Sequence, residues 1–139
     1  MRLINSIIVH CADNYADMDI GVKEIDVWHK NRKFDKIGYH YVIRRDGTVE
    51  KGRKLNEVGA HAYGFNAHSI GICYAGGLSE DAEPEDNRTP EQKQSMIDLI
   101  KSLLKVFPSI NTICGHRDLK GVTKACPCFD ATAEYKHLL

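Results

Sequence analysis

The chain has no net charge, 19 basic residues offsetting 19 acidic ones. No overall field draws it to nucleic acid or to anionic lipid, so a polyanion-binding role is disfavoured. Nor does any apolar run approach the ~18 residues of a membrane span. Met1-Arg2-Leu3-Ile4-Asn5 leads straight into a strand, without the hydrophobic core of a signal peptide. The expectation is a protein made in the cytoplasm, with no membrane or nucleic-acid partner. The five cysteines, Cys11, Cys73, Cys114, Cys126 and Cys128, are odd in number and lack a small-scaffold spacing. That argues against a disulfide framework and for thiols and metal binding. Repeats, low-complexity tracts and linkers are missing too. The 139 residues therefore read as one domain, long enough to bury ~70% of its unfolded surface.

What is present is a set of short apolar runs separated by helical patterns. Asn5 to His10 reads as a strand that ends in a histidine, and Ile110 to His116 repeats that arrangement. Cys11 to Asp19 is polar and aperiodic, a loop whose three aspartates lack the glycine and terminal glutamate of a calcium loop and read as solvated surface. Gly21 to Phe34 spaces Val22, Ile25 and Trp28 or His29 as an amphipathic helix does, with Trp28 facing the core and His29 structural. Gly38 to Arg44 and Val49 to Lys51 flank an Asp46-Gly47 turn and predict a hairpin. Strand alternation sets Tyr39 and Tyr41 on one side and His40 and Val42 on the other, so only one of Tyr39 and His40 faces a given cleft.

Ser69 to Ala75 reads as an inner strand covered on both faces, and Leu78 to Arg88, with five acidic side chains, as an exposed loop. Thr89-Pro90-Glu91-Gln92 is a helix start with a capping box. Met96, Ile97, Ile100, Leu103, Leu104 and Phe107 then form the apolar stripe of a packed helix. Asp130 caps a final helix reaching Leu138. This alternation predicts a single-domain, three-layer α/β fold, a central mixed β-sheet flanked by helices.

The chemistry-bearing residues converge on the last quarter of the chain. His116 closes a strand, and Lys124 and Cys126 follow on a loop. Imidazole and thiolate are zinc ligands, and a catalytic zinc takes three protein ligands and leaves one position open. His10 is the nearest third donor, provided that the two histidine-terminated strands end at the same sheet edge. Familiar zinc signatures such as His-Glu-x-x-His are missing, and Cys126-Pro127-Cys128 is too tight for a zinc-ribbon knuckle. Cys114 lies two residues before His116 and faces the same side; a packed thiol is the expected role. The loop from Gly59 to His68, with His61, Asn66 and His68, has no regular period and reads as a substrate wall.

Several motifs in order carry a resemblance across nearly the whole chain. They are Val9-His10-Cys11, Gly21-Val22-x-Glu24-Ile25-x-x-Trp28-His29-Lys30, Gly38-Tyr39-His40, Arg45-Asp46-Gly47-Thr48-Val49-Glu50, Val58-Gly59-x-His61-Ala62, Asn66-x-x-Ser69-Ile70-Gly71 and Lys124-Ala125-Cys126-Pro127-x-Phe129-Asp130. With them the chain resembles the zinc amidases of the N-acetylmuramoyl-L-alanine amidase type 2 family, T7-type phage lysozymes in particular, with peptidoglycan recognition proteins as wider relatives. The resemblance implies a zinc amidase catalytic domain over residues 1–139, holding one Zn2+ per chain on His10, His116 and Cys126. It implies Tyr39 and Lys124 as catalytic residues, which selects Tyr39 over His40. The implied bond joins N-acetylmuramic acid to L-alanine in peptidoglycan, cut by a monomer that acts on the cell wall after release or export, as a phage or prophage lysin or a bacterial effector. It also leaves two other readings, a non-catalytic peptidoglycan-binding module and a regulatory partner of a phage RNA polymerase. The stretch from His116 to Cys126 is about two residues longer than in T7-type lysozymes, and Cys128 stands where a small residue is expected.

Overall fold

The fold is taken from a computed structural model that describes residues 1–139. The elements run β1 (Ser6–Cys11), β2 (Asn14–Tyr15), α1 (Val22–Asn31), β3 (Tyr41–Ile43), β4 (Val49–Lys51), β5 (Ser69–Tyr74), β6 (Gly77–Leu78), α2 (Pro90–Val106), β7 (Thr112–Gly115) and α3 (Ala131–Tyr135). Single 3-10 turns follow at His116–Asp118 and Lys136–Leu138. The main sheet has the order β4-β3-β5-β1-β7. Only the β3–β4 hairpin is antiparallel; β3, β5, β1 and β7 run parallel.

Alternation along the inner strands divides the core between two faces. Ile7, Val9 and Cys11 of β1 and Ile70, Ile72 and Tyr74 of β5 join Met96, Ile100 and Leu103 of α2 and Tyr135 of α3 in the larger cluster. On the other face Cys73 and Val42 pack with Ile25 of α1, and Ile8 packs with Ala62 and Cys114. This is the expected three-layer arrangement. All six residues of β5 are buried, and each fully buried isoleucine of this core contributes roughly 1.5–3 kcal/mol.

The capping box of α2 forms: Gln92 N–H donates to Thr89 Oγ1, and Thr89 N–H to Gln92 Oε1, both at 3.0 Å. The same Gln92 donates through Nε2 to the carbonyls of Ile43 and Ala75, tying the helix start to β3 and to the residue after β5. Asp130 Oδ1 accepts from Ala133 N–H at 3.1 Å, capping α3 as expected.

Several expectations need correction. Helix α1 stops at Asn31, short of Phe34, because Lys33 takes a left-handed backbone (φ 72) that ends the turn. Trp28 is half-buried and lines a cavity as well as packing against the core. The loop after His10 contains β2, paired with β6. Strand β3 begins only at Tyr41, so alternation does not reach back to Tyr39. Tyr39 packs with the Ile25 and Val42 cluster, whereas Tyr41 packs against the larger core. The acidic loop ending at Arg88 is exposed from Glu80 to Asp86, but the Arg88 side chain is only 2% exposed. Its guanidinium pairs with Asp86 at 2.8 Å and Glu134 at 2.6 Å and lies 3.4 Å over the Phe129 ring.

Candidate active site

Parallel pairing of β1 with β7 registers Val9 against Gly115. The next residues along the two strands are His10 and His116, which therefore emerge side by side at the same sheet edge, with ring centroids 4.6 Å apart. The chain returns from His116 through an exposed loop and places Cys126 against the end of β1. There Cys11 N–H donates to Cys126 Sγ at 3.2 Å. Cys126 Sγ lies 3.9 Å from His10 Nδ1. One ligand atom each from His10, His116 and Cys126 fall within 4.8 Å of one another. Metal–nitrogen and metal–sulfur arms of zinc length would separate such atoms by about 3.6 Å in a tetrahedral site. The donor set and spacing thus fit a zinc-class ion, and His10 and Cys126 are buried while His116 is half-buried.

The second nitrogen of His10 is also engaged. His10 Nε2 lies 2.8 Å from His61 Nδ1, His61 Nε2 lies 3.3 Å from Ser69 Oγ, and the Ser69 hydroxyl donates to the Phe65 carbonyl at 2.8 Å. A lone pair on His10 Nδ1 facing Cys126 puts the ring proton on Nε2, which then donates to His61. Such a partner behind a ligating imidazole fixes its tautomer and ring orientation. The His61 ring fits only because residue 71 is glycine: a Cβ there would lie 2.6 Å from the ring.

These histidines stay neutral. Burial above all holds His10 well below the usual imidazole range, and the neighbouring His61 and His116 rings act in the same direction. Burial and then His40 do the same for His61. His116 is lowered by burial and by the Lys124 ammonium. Tyr39 moves the other way, because burial pushes its phenol up, so it remains a hydroxyl donor at neutral pH.

A cavity of about 680 Å³ opens over this cluster. Tyr39, His61, Asn66 and Lys124 line it together with His10, His116 and Cys126, and Trp28 and His29 of α1 join them with Arg32 at the helix end. Tyr39 approaches His10 with ring centroids 5.0 Å apart. His29 is tied down by Gly38 N–H, which donates to its Nδ1 at 2.8 Å. The loop before Cys126 lays Gly121, Val122, Thr123 and Lys124 along the cavity wall.

Of the other sequence candidates only Asn66 lines the cavity. His40 is buried away from the cavity, its Nε2 beside Arg2 and the Glu57 carbonyl, its Nδ1 accepting from Gly71 N–H. His68 is not part of the cavity lining; it is exposed, with Nδ1 beside the Leu3 carbonyl at 3.0 Å. Asn66 lines the cavity but spends its Oδ1 on the backbone N–H groups of His61 and Ala62, so it shapes the loop that carries His61. Cys114 packs with Ile8 and Ala62. Sequence reasoning did not connect His61 to His10, nor Arg32 to the cavity; the spacing of Arg32 one turn beyond Trp28 was the available signal.

Comparison with known proteins finds relatives of the same fold. A solved structure of the N-acetylmuramoyl-L-alanine amidase LysC from Clostridium intestinale URNW superposes with a TM-score of 0.82 at 32% identity, covering 97% of this chain and 83% of that one. Bumblebee PGRP-SA shares the fold, with a TM-score of 0.78 at 22% identity over 100% of this chain and 84% of that chain. In sequence, the endolysin of Klebsiella phage KP32 is 44% identical over 126 residues, 91% of this chain and 82% of the phage protein. The profile of the family described as N-acetylmuramoyl-L-alanine amidase matches residues 1–129, and with these relatives beside it the chain belongs to that family.

Proposed function

We propose that residues 1–139 form a zinc-dependent N-acetylmuramoyl-L-alanine amidase domain that hydrolyses the amide between N-acetylmuramic acid and L-alanine in peptidoglycan. The observation that carries this reading is the convergence of His10, His116 and Cys126 at the floor of a cavity lined by Tyr39 and Lys124. In this reading the two imidazoles and the thiolate hold the ion. A zinc ion bound there supplies Lewis-acid polarisation of the scissile carbonyl and an acidified water.

The remaining work falls to the chain's own side chains. Attack on an amide builds negative charge on the carbonyl oxygen, and the Lys124 ammonium on the cavity wall is the group to stabilise it. The Tyr39 hydroxyl, kept protonated by burial, orients the nucleophile and hands on a proton at its oxygen. His61 holds the His10 ring in its ligating tautomer. Trp28, His29 and Arg32 form the wall against which the peptide stem lies. The presence of Cys126 favours catalysis over a purely wall-binding role, since a binding module has no use for the third donor. The KP32 relative is an endolysin, which supports action on a bacterial cell wall.

The test is product analysis on purified peptidoglycan. Free L-alanine amino groups should appear without new reducing sugar ends, and Cys126→Ser should abolish their release while the far-ultraviolet circular dichroism stays unchanged. Reducing ends without free amino groups would overturn the assignment.

A further inference from the structure

Because side chains alternate along β1, Cys11 faces away from His10 and into the opposite layer. It does not sit there alone. Cys128 Sγ is 3.8 Å from Cys11 Sγ, Asp13 Oδ1 is 3.2 Å from Cys11 Sγ, and the Gly77 carbonyl oxygen is 3.5 Å from Cys128 Sγ. Cys11, Asp13 and Cys128 each present a ligand atom within 4.8 Å of the others. The turn Cys126-Pro127-Cys128 thus straddles the end of β1, with Cys126 beside His10 and Cys128 beside Cys11.

The geometry points to a second metal site, a Cys11–Cys128–Asp13 site for a zinc-class divalent cation, behind the first. It goes beyond the proposed amidase reading and raises the expected content from one ion per chain to two. Three features support it. Two thiolates bound tetrahedrally at arms of about 2.3 Å lie about 3.8 Å apart, the separation observed. A disulfide, by contrast, needs its sulfurs at about 2.05 Å and has no use for a carboxylate. Third, the backbone sets the donors at the end of β1: Asp13 (φ 58) takes the left-handed region, where aspartate is common, and Cys128 (φ 72) takes it too, which is uncommon for a cysteine. Gly77 (φ 105) permits the close approach of its strand, since a Cβ there would lie 2.7 Å from Cys11 Sγ.

Binding would displace the two thiol protons, leaving two thiolates and the Asp13 carboxylate around the cation. The fourth position is open to the Gly77 carbonyl or to water, as Asp13 is exposed and Cys128 half-buried. Such an ion would staple the 126–128 turn to the end of β1, fixing the backbone that carries Cys126.

The experiment is equilibrium dialysis of the reduced protein against buffered zinc, with metal counted by plasma mass spectrometry and folding followed by circular dichroism. Wild type should hold two zinc ions per chain, Cys128→Ser one, Cys126→Ser one, and the double variant none. Cobalt in Cys126→Ser should show thiolate-to-metal charge transfer at an intensity expected for two sulfurs. Asp13→Asn, a change at an exposed residue, should fold normally and weaken the second ion only. Because each site has its own variant, loss of zinc in Cys128→Ser but not in Cys126→Ser would sink the first site and keep this one. A single ion in wild type that Cys128→Ser still keeps, or two retained in Cys128→Ser, would overturn the proposal. So would an intact mass lighter by two hydrogens that maps to a Cys11–Cys128 disulfide in protein purified with one ion.

Discussion

Replacing His61 by alanine tests whether the imidazole behind His10 tunes the metal centre. The His10 side chain is 1% exposed, and His61 Nδ1 at 2.8 Å is the acceptor for its Nε2 proton. Removing that acceptor leaves a buried donor unpaired, at a cost of roughly 1–3 kcal/mol. Loss of a partner behind a metal ligand weakens metal binding about 10- to 100-fold, or about 1.4–2.7 kcal/mol, so the two routes agree. Alanine opens a gap toward the cavity through which water can reach Nε2, which places the expected loss toward the lower end. Asparagine at position 61 offers an amide oxygen near the former Nδ1, and His61→Asn should recover part of the affinity. Zinc affinity would be read by competition with a chromophoric chelator, alongside circular dichroism and turnover at saturating zinc. Wild-type affinity in His61→Ala would refute the reasoning, as would equal losses in the alanine and asparagine variants.

Three further outcomes follow from the same geometry. Lys124→Ala should keep its zinc and lose turnover by roughly 10²- to 10³-fold, the cost of one oxyanion donor; unchanged turnover in the zinc-loaded variant would remove Lys124 from the chemistry. Arg88→Ala should destabilise the fold by about 2–3 kcal/mol in urea titration, less than for a fully buried pair, because Asp86 and Glu134 keep 32% and 40% of their side-chain surface exposed. The pH dependence has a definite sign: hydrogen bonds from Arg88 lower the pKa of both carboxylates on folding, so their stabilisation is complete above the unfolded values near ~4 and drains away as pH falls through the folded ones. An Arg88→Ala variant as stable as wild type at neutral pH would contradict this account.

Much of this arrangement was legible in the sequence because it is local or follows from chain polarity. The Thr89–Gln92 box needs only a three-residue spacing, and two strands that each end in a histidine need only lie parallel and in register to join His10 to His116. What could not be read depends on where a strand starts or on partners far along the chain. Tyr39 escaped alternation because β3 begins two residues later. Arg88 looked like part of an acidic surface loop, and its second carboxylate, Glu134, lies 46 residues away. Set against a calcium pattern, the aspartates after Cys11 give no sign that Asp13 sits beside two thiols. His61 and His68 were indistinguishable in a loop without period; Asn66, by fastening the His61 backbone, turns one of them toward His10.

The site is therefore built from two kinds of backbone. His10 and His116 stand at the ends of hydrogen-bonded parallel strands, and Cys126 is anchored by Cys11 N–H, so the donors are fixed by the same sheet that forms the core. Lys124 stands exposed on the loop between His116 and Cys126. A charge on such a loop can follow the carbonyl oxygen as it becomes tetrahedral, whereas ligand atoms displaced by even a fraction of an ångström lose the ion. Substitutions in the floor, at His61 or Cys126, should accordingly register as metal affinity, and substitutions on the rim, at Lys124, as turnover at full metal loading. If shortening the loop by two residues lowered zinc affinity and spared turnover at saturating zinc, this division between floor and rim would fail.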